Sequence, residues 1–460
     1  MHPFALDRRA FLGRYAGCLG TLALAELLGD VDTAAEQQAP RARARSVICL
    51  FQHGGPSQMD LFDAKPELAK RHGEAYPGEL EVHFEKQQGK LLASPFKFSP
   101  CGQAGIELSD LLPHTAHIVD DLTLVRSMTT ESVDHEAALR LIHTGKIQAG
   151  RPVWGSWVSY ALGTENRDLP NYVVLSDPGG LPVDGTRNWS SGWLPAIYQG
   201  TPFRSGAAPV LNLATPAQIT PAARAGQLQF LAELNRSQLR RHTDSSELAA
   251  RIVNFETAAR MQMAVPEALD LASETEATRR LYGLDQPATR EYATRCLLAR
   301  RLVERGVRFV QVFMSGQPWD THSKNAENLR NLCARTDQPS AALVQDLKQR
   351  GLLDSTIVLW TGEFGRLPVS QGSDGRDHNR HAFSLWLAGG GFKAGYVHGH
   401  TDDFGYAAVD RQVTVHDLHA TLLHALGLDH VRLVYPHEGR NDSLTDIDVS
   451  HAHVVNELLA

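Results

Sequence analysis

The stretch SAALVQDLKQRGLLDSTIVLWTGEFG, residues 340–365, carries the clearest architectural signal in the chain. Its first half spaces apolar residues as a helix does, and its second half is an unbroken apolar run that stops at Gly362 and Glu363. An uninterrupted run of strand length belongs to a strand buried on both faces, which is what a parallel sheet covered by helices requires. The same order of helix, short loop and apolar strand recurs in TREYATRCLLARRLVERG followed by RFVQVFMSG, residues 289–316. SVICLFQHGG (46–55) is a further apolar run closed by two glycines, HAFSLWLAGGG (381–391) reads as a fourth strand, and VTVHDLHATLLHALGLD (413–429) as a closing helix. The expected fold class is therefore α/β, with a mainly parallel sheet sandwiched by helices. Ligands of such sheets collect beyond the carboxyl ends of the strands, so the residues just past those ends are the first candidates for function.

Composition narrows the classes. A chain of 460 residues with 42% apolar content can bury a large core, which excludes disorder. The net charge of -7 and an isoelectric point near 6.3 supply no basic surface for phosphate backbones, so no nucleic-acid partner is expected. Histidine is abundant, at 21 residues, and many stand beside Asp, Asn or Gly in the last third, as metal coordination or acid-base chemistry would use them.

The N-terminal segment DRRAFLGRYAGCLGTLALAELLG places Arg8 and Arg9 ahead of a modest apolar run. It reads as a twin-arginine export signal over residues 1–33, implying a periplasmic or extracellular protein. Glu26 interrupts the run, so no permanent membrane span is expected. An Ala/Arg/Gln-rich linker covers 34–45, and 46–460 reads as a single domain. Within it, about 165–285 forms a loop-rich region and a helical insertion, with Gly, Pro, Asn and Ser dense over 165–215 and helical spacing over 220–285. Cys49, Cys101, Cys296 and Cys333 lack CxxC spacing and read as buried or free thiols. The sequence leaves the oligomeric state open.

Four clusters stand at strand ends or loop starts. FQHGGPSQMD carries His53 and Asp60; SVDHEAALRLIHTGK carries Asp134, His135 and Glu136; SGQPWDTHSKN carries Asp320 and His322; TGEFG with the following DHNRH carries Glu363, Asp377, His378 and His381. A single histidine at a strand end is more often structural. Four such groups converging on one sheet edge crowd carboxylates and imidazoles that stay unpaired unless a cation collects them. Such ligands suit a divalent metal, zinc first, with manganese, iron or calcium as alternatives.

The runs HGGPSQMDLFDAKP, HTGK, WDTH, GEFGR, DHN with His381, and VTVHDLHATLLHALGLDH with RLVYPHEGR resemble the DUF1501 family from about residue 46 to the C-terminus. That family in turn resembles the alkaline phosphatase and sulfatase superfamily, which implies a divalent metal site at the carboxyl edge of a parallel sheet. His53 departs from the superfamily pattern, standing where an Asp before Gly usually binds metal. The segment EAALRLIHTG resembles the one that follows the superfamily's nucleophile, whose place falls near His135 with no Cys, Ser or Thr there. Asp320 and His322 resemble an Asp-plus-His metal pair. Glu363 matches a strand-end Asp of a second pair, with Phe364 where its partner His would be, and His378 or His381 matches the final His ligand.

The resemblance implies a metal-dependent hydrolase of sulfate or phosphate esters, on a small-molecule or polysaccharide substrate. Without a Ser, Thr or Cys nucleophile, the simpler chemistry is a water activated by the metal. His135 would serve as general base or acid, or alternatively as a covalent nucleophile, and Arg366 or Arg380 would hold the anionic group. The rival expectation is a non-catalytic metal- or glycan-binding protein on a degenerate hydrolase fold. Bland readings also apply: Glu363 as a helix cap, and His416, His419 and His424 as packing residues of the closing helix.

Overall fold

The computed structural model describes residues 40–84, 87–204, 218–242 and 246–460. Ser46–Phe51 (β1) lies in the middle of a nine-stranded sheet, all six of its residues buried. The remaining strands are Leu122–Thr129 (β2), Tyr172–Leu175 (β3), Thr201–Phe203 (β4), Phe309–Val312 (β5), Thr356–Thr361 (β6), Phe383–Ala388 (β7), Tyr396–His398 (β8) and Val413–Thr414 (β9). Across the sheet the order is β8-β2-β7-β6-β1-β5-β3-β4, with β9 also beside β2. Every pairing in this sheet is parallel except the two made by β7, which runs antiparallel to β6 and β2. The carboxyl ends of β1, β2, β5 and β6 therefore share one edge with the amino end of β7.

The longer helices are His135–Thr144 (α1), Trp154–Leu162 (α2), Pro221–Arg241 (α3), Ser246–Leu269 (α4), Glu276–Tyr282 (α5), Arg290–Glu304 (α6), Asn325–Gln349 (α7) and Val415–Ala425 (α8), of which α1, α2 and α8 cover one face of the sheet and α6 and α7 the other. Successive strand residues point to opposite faces. Ile48 and Leu50 of β1 accordingly join Val310, Val358, Leu297 and Leu343 in one core layer, under α6 and α7. Val47, Cys49 and Phe51 join Phe309, Leu359, Leu139, Trp154 and Leu422 in the other, under α1, α2 and α8. Each buried side chain of this kind stabilises the fold by roughly 1.5–3 kcal/mol, which explains why the strand runs carry no polar alternation.

Two elements differ from the sequence expectation. The loop-rich reading of 165–215 contains β3 and β4, and β3 is an inner strand between β5 and β4. Its four apolar residues are too short a run to stand out among flanking Gly, Pro and Asn. The fourth strand is present as β7 but reversed, because residues 363–381 fold back along the sheet edge before it begins.

The export-signal reading falls on residues 1–33, outside the described residues. Of the expected linker, residues 40–45 are described: the backbone N–H groups of Arg43 and Ala44 both donate to the Ala425 carbonyl, each at 2.9 Å. Among the described residues no helix is long and apolar enough to cross a membrane. Cys49, Cys101, Cys296 and Cys333 are free thiols.

Candidate metal centre

Four chain segments meet at the carboxyl edge. The first is the start of α1, where the Asp134 side chain accepts from the Ala137 N–H at 3.0 Å and so fixes His135 as the first helical residue. The far end of α1 is held from α8. His419 Nε2 donates to the Ile142 carbonyl at 2.9 Å and His416 Nε2 to that of Gly145 at 2.8 Å, satisfying carbonyls that a helix C-terminus leaves open. These two histidines of the closing helix thus anchor the element that carries His135.

The second segment is the loop after β5 that carries Asp320 and His322, pinned to the loop after β1 by the Trp319 N–H donating to the His53 carbonyl at 2.9 Å. Gly54 makes that approach possible. Its φ is +110°, and a Cβ there would stand 2.7 Å from the Trp319 carbonyl carbon and against the Asp320 amide nitrogen.

The third and fourth segments are the two arms of residues 363–381. Gly365–Arg366 pairs antiparallel with His378–Asn379, and this two-residue ladder returns His378 to the edge where Glu363 leaves β6. The polar knot beneath is Asp60, wholly buried and taken by Arg376 Nε at 2.7 Å, Ser57 Oγ at 2.7 Å and Asn325 Nδ2 at 2.9 Å. Burial alone would raise the Asp60 pKa, but Arg376 with those hydrogen bonds outweighs it and holds the carboxyl below its ordinary value.

At the meeting point, one ligand atom from each of His135, Asp320, His322 and His378 lies within 4.8 Å of every other. Asp320 is the hub. Its Oδ1 is 2.9 Å from His322 Nε2 and 3.2 Å from His378 Nε2, and its Oδ2 is 3.3 Å from His135 Nε2. The opposite nitrogen of each ring is already engaged with an oxygen that can only accept. His135 Nδ1 meets Glu363 Oε1 at 2.7 Å, His378 Nδ1 meets the Val133 carbonyl at 2.6 Å, and His322 Nδ1 meets Gln371 Oε1. With the proton on Nδ1, donated to these oxygens, a neutral ring presents its Nε2 lone pair toward Asp320. Three imidazole nitrogens and a carboxylate so grouped could hold a cation, with orienting partners of the kind metal-bound histidines use.

Without a metal, the electrostatics of the four residues divide. Burial drives the pKa of His378 down to about 3 despite Asp320, so its ring is neutral at neutral pH, with one proton shared between the Val133 and Asp320 sides. His135 Nε2 is buried and makes no hydrogen bond even at 3.3 Å from Asp320. Burial lowers the pKa of His135, but Asp320 and Glu363 outweigh it and lift the ring to about 9 when no metal competes. Asp320 is held well below the usual carboxylate range: burial opposes this, and the three imidazoles with Arg366 prevail.

The expected site residues divide. Asp320, His322 and His378 converge as metal-ligand candidates, and His135, expected to act as acid or base, joins them through Nε2. Glu363 stands behind His135, its Oε1 also accepting the Gly54 N–H at 2.8 Å, rather than capping a helix. His53 is wholly buried but lies outside the group of four. Its ring packs against Phe51 and Phe313, both ring nitrogens lack partners, and burial followed by His143 and His135 pushes its pKa well below the ordinary value. His381 is not brought to the group; its Nε2 meets Glu81 Oε2 at 2.9 Å. Arg366 does not present itself to a ligand. It is fully buried, donates to Asp320 Oδ1 at 2.7 Å and spends its other donors on the carbonyls of Gly54, Gly55 and Arg376. Arg380 pairs with Glu81.

Sequence reasoning did not reach Gln317, whose Nε2 donates to Asp320 Oδ2 at 2.8 Å, nor Gln371 and the Val133 carbonyl. Neutral amides and backbone carbonyls carry no compositional signal.

The chain belongs to the family described as "Protein of unknown function (DUF1501)", whose model matches residues 44–459. A comparison with curated proteins finds no match. Among solved structures, the lipoteichoic acid synthase LtaP from Listeria monocytogenes is similar at 9% identity and a TM-score of 0.35, over 89% of this chain and 78% of that one. The PsFucS1 sulfatase from Pseudoalteromonas sp. is similar at 12% identity and a TM-score of 0.36, over 84% and 68%. A protein in the alkaline phosphatase superfamily from Vibrio parahaemolyticus is similar at 10% identity and a TM-score of 0.36, over 85% and 68%. At these values the functional reading rests on the atoms of the site.

Proposed function

We propose that this chain is an exported, divalent-metal-dependent hydrolase of sulfate or phosphate esters, with His135, Asp320, His322 and His378 as metal ligands. The observation that carries the reading is the convergence of one ligand atom from each of these four residues within 4.8 Å, with His378 Nε2 at 3.2 Å from Asp320 Oδ1 and its Nδ1 on the Val133 carbonyl. Three imidazole nitrogens and one carboxylate oxygen fit zinc, or manganese or iron with room for a further ligand. They do not fit calcium, which takes six to eight oxygens.

A metal held there would supply Lewis acidity toward an ester oxygen and toward water. The residues of the chain do the rest. Glu363, Gln371 and Val133 hold the three imidazoles in the tautomer that leaves Nε2 free, and Arg366 with Gln317 orients Asp320. Arg366 is thus a positioning residue in this reading, and His135 a ligand in place of a base. Export through the twin-arginine pathway rests on Arg8 and Arg9 ahead of the apolar run, with residues 46–460 as one hydrolase-like domain. Replacing Arg8 and Arg9 by lysine is expected to leave the protein in the cytoplasm; unchanged export would remove that part of the reading.

A non-catalytic binding protein is the second reading. It is favoured by His135, which occupies the expected place of a nucleophile and turns its reactive nitrogen toward Asp320. Metal-loaded protein assayed with aryl sulfates and aryl phosphates separates the two. Turnover that disappears in Asp320→Asn supports the hydrolase; bound metal with no turnover on either ester class supports the binding protein.

A further inference from the structure

Phe84 is a large apolar side chain left 39% exposed, and it stands at the metal centre itself. Its ring lies edge-on to His322 at 5.2 Å and to His378 at 6.2 Å. The neighbouring ring of His83 stacks on His378 at 4.9 Å with an interplanar angle of 23°. Backbone hydrogen bonds hold the segment that carries both rings. The N–H groups of His83 and Phe84 each donate at 3.0 Å to Oδ2 of Asp377, the residue immediately before His378. On one flank, Glu81 is held by Arg380 and His381, and its N–H donates to Tyr406 Oη at 3.0 Å. On the other, Gln87 Oε1 accepts from Gln371 Nε2 at 2.8 Å, and the Gln371 oxygen meets His322 Nδ1.

Several charged groups here are already paired: Arg366 with Asp320 and carbonyls, Arg380 and His381 with Glu81, Asp377 with the loop amides. Phe84 presents exposed aromatic surface beside His322. Resting on the ester-hydrolase reading, we infer that His83 and Phe84 form a fixed recognition wall, and that Phe84 selects esters whose organic part offers a flat apolar ring face. The oxyanion of such a substrate would sit at the ligand group, and its organic part would leave past Phe84, where ring-on-ring contact is favourable.

The test is calorimetric binding of two non-hydrolysable probes, phenylphosphonate and methylphosphonate, to the zinc-loaded protein and to its Phe84→Ala variant. The expected result is a preference of roughly tenfold for phenylphosphonate in the wild type, the size of one good aromatic contact. In Phe84→Ala that preference should fall to about twofold or less, with methylphosphonate affinity and zinc content unchanged. An undiminished preference in Phe84→Ala overturns the inference and leaves the hydrolase reading standing. Failure of both phosphonates to bind zinc-loaded wild type overturns the hydrolase reading, and the recognition wall falls with it.

Discussion

His378 Nε2 stands 3.2 Å from Asp320 Oδ1 while its Nδ1 is committed to the Val133 carbonyl at 2.6 Å. A neutral imidazole has one proton for these two acceptors; with it on the nearer Val133 carbonyl, Nε2 and the carboxylate face each other as acceptors, an arrangement a cation between them would relieve. The proposed metal centre, its ligand set and the role of Arg366 all follow from this one contact.

The ligand set makes graded predictions for metal affinity. Asp320→Asn and His322→Ala should each abolish high-affinity zinc binding, measured by competition with a chromophoric chelator. Glu363→Gln should weaken it by about 10- to 100-fold, the usual effect of losing a partner that orients a metal-bound histidine. His381→Ala should leave it unchanged, since that ring is paired with Glu81.

Proton linkage at His135 gives a pH signature. In metal-free protein its pKa is raised from 6.5 to about 9, so its contribution to stability is complete below pH 6.5 and is lost as the pH rises through 9. That contribution is on the order of 3–4 kcal/mol at most, because each tenfold gain in proton affinity is worth about 1.4 kcal/mol. Urea unfolding of metal-free protein between pH 6 and 10 should show this loss, and His135→Gln should flatten it. Zinc binding at pH 7.5 should release close to one proton per site, read by calorimetry in buffers of different ionisation enthalpy.

Gly54→Ala tests the close approach of two loops. The added Cβ meets the Trp319 and Asp320 backbone at a positive φ, so Asp320 must move even if the rest of the fold stands. The expected outcome is a retained circular dichroism spectrum with zinc affinity reduced at least tenfold.

Asp60→Asn tests the knot under the site. Both Asp60 and Arg376 are wholly buried, and removing one partner of such a pair costs about 3–5 kcal/mol. Because the Asp60 pKa is lowered, its stabilisation is present above the ordinary carboxyl pKa of 3.8 and is lost as the pH falls below it. Denaturant midpoints should therefore drop in Asp60→Asn near neutral pH, and the difference from wild type should shrink in acid.

Much of the fold was legible in the sequence because it is written in apolar runs. TIVLW and SVICLF carry β6 and β1 without ambiguity, and the residues just past strand ends include Asp320, Glu363 and, through its loop, His378. Spacing along the chain does not choose between His378 and His381. That choice depends on the two-residue ladder between Arg366 and His378, a tertiary pairing with no local signature. Arg366 was hard to read for a related reason: a cation beside a carboxylate cluster looks ready for an anion, yet here its donors are consumed by carbonyls that only the fold brings near. The place of His135 beside the cluster could be read from the start of its helix, but its role depends on which nitrogen Glu363 takes.

A metal held by three imidazoles and one carboxylate stands or falls with X-ray absorption at the metal edge of natively purified protein. The expected spectrum has a zinc, manganese or iron edge with one metal per chain. Its first shell should contain three imidazole nitrogens, at about 2.0–2.1 Å for zinc, and one carboxylate oxygen. Protein without a transition metal, or a shell of oxygens alone, would refute the assignment.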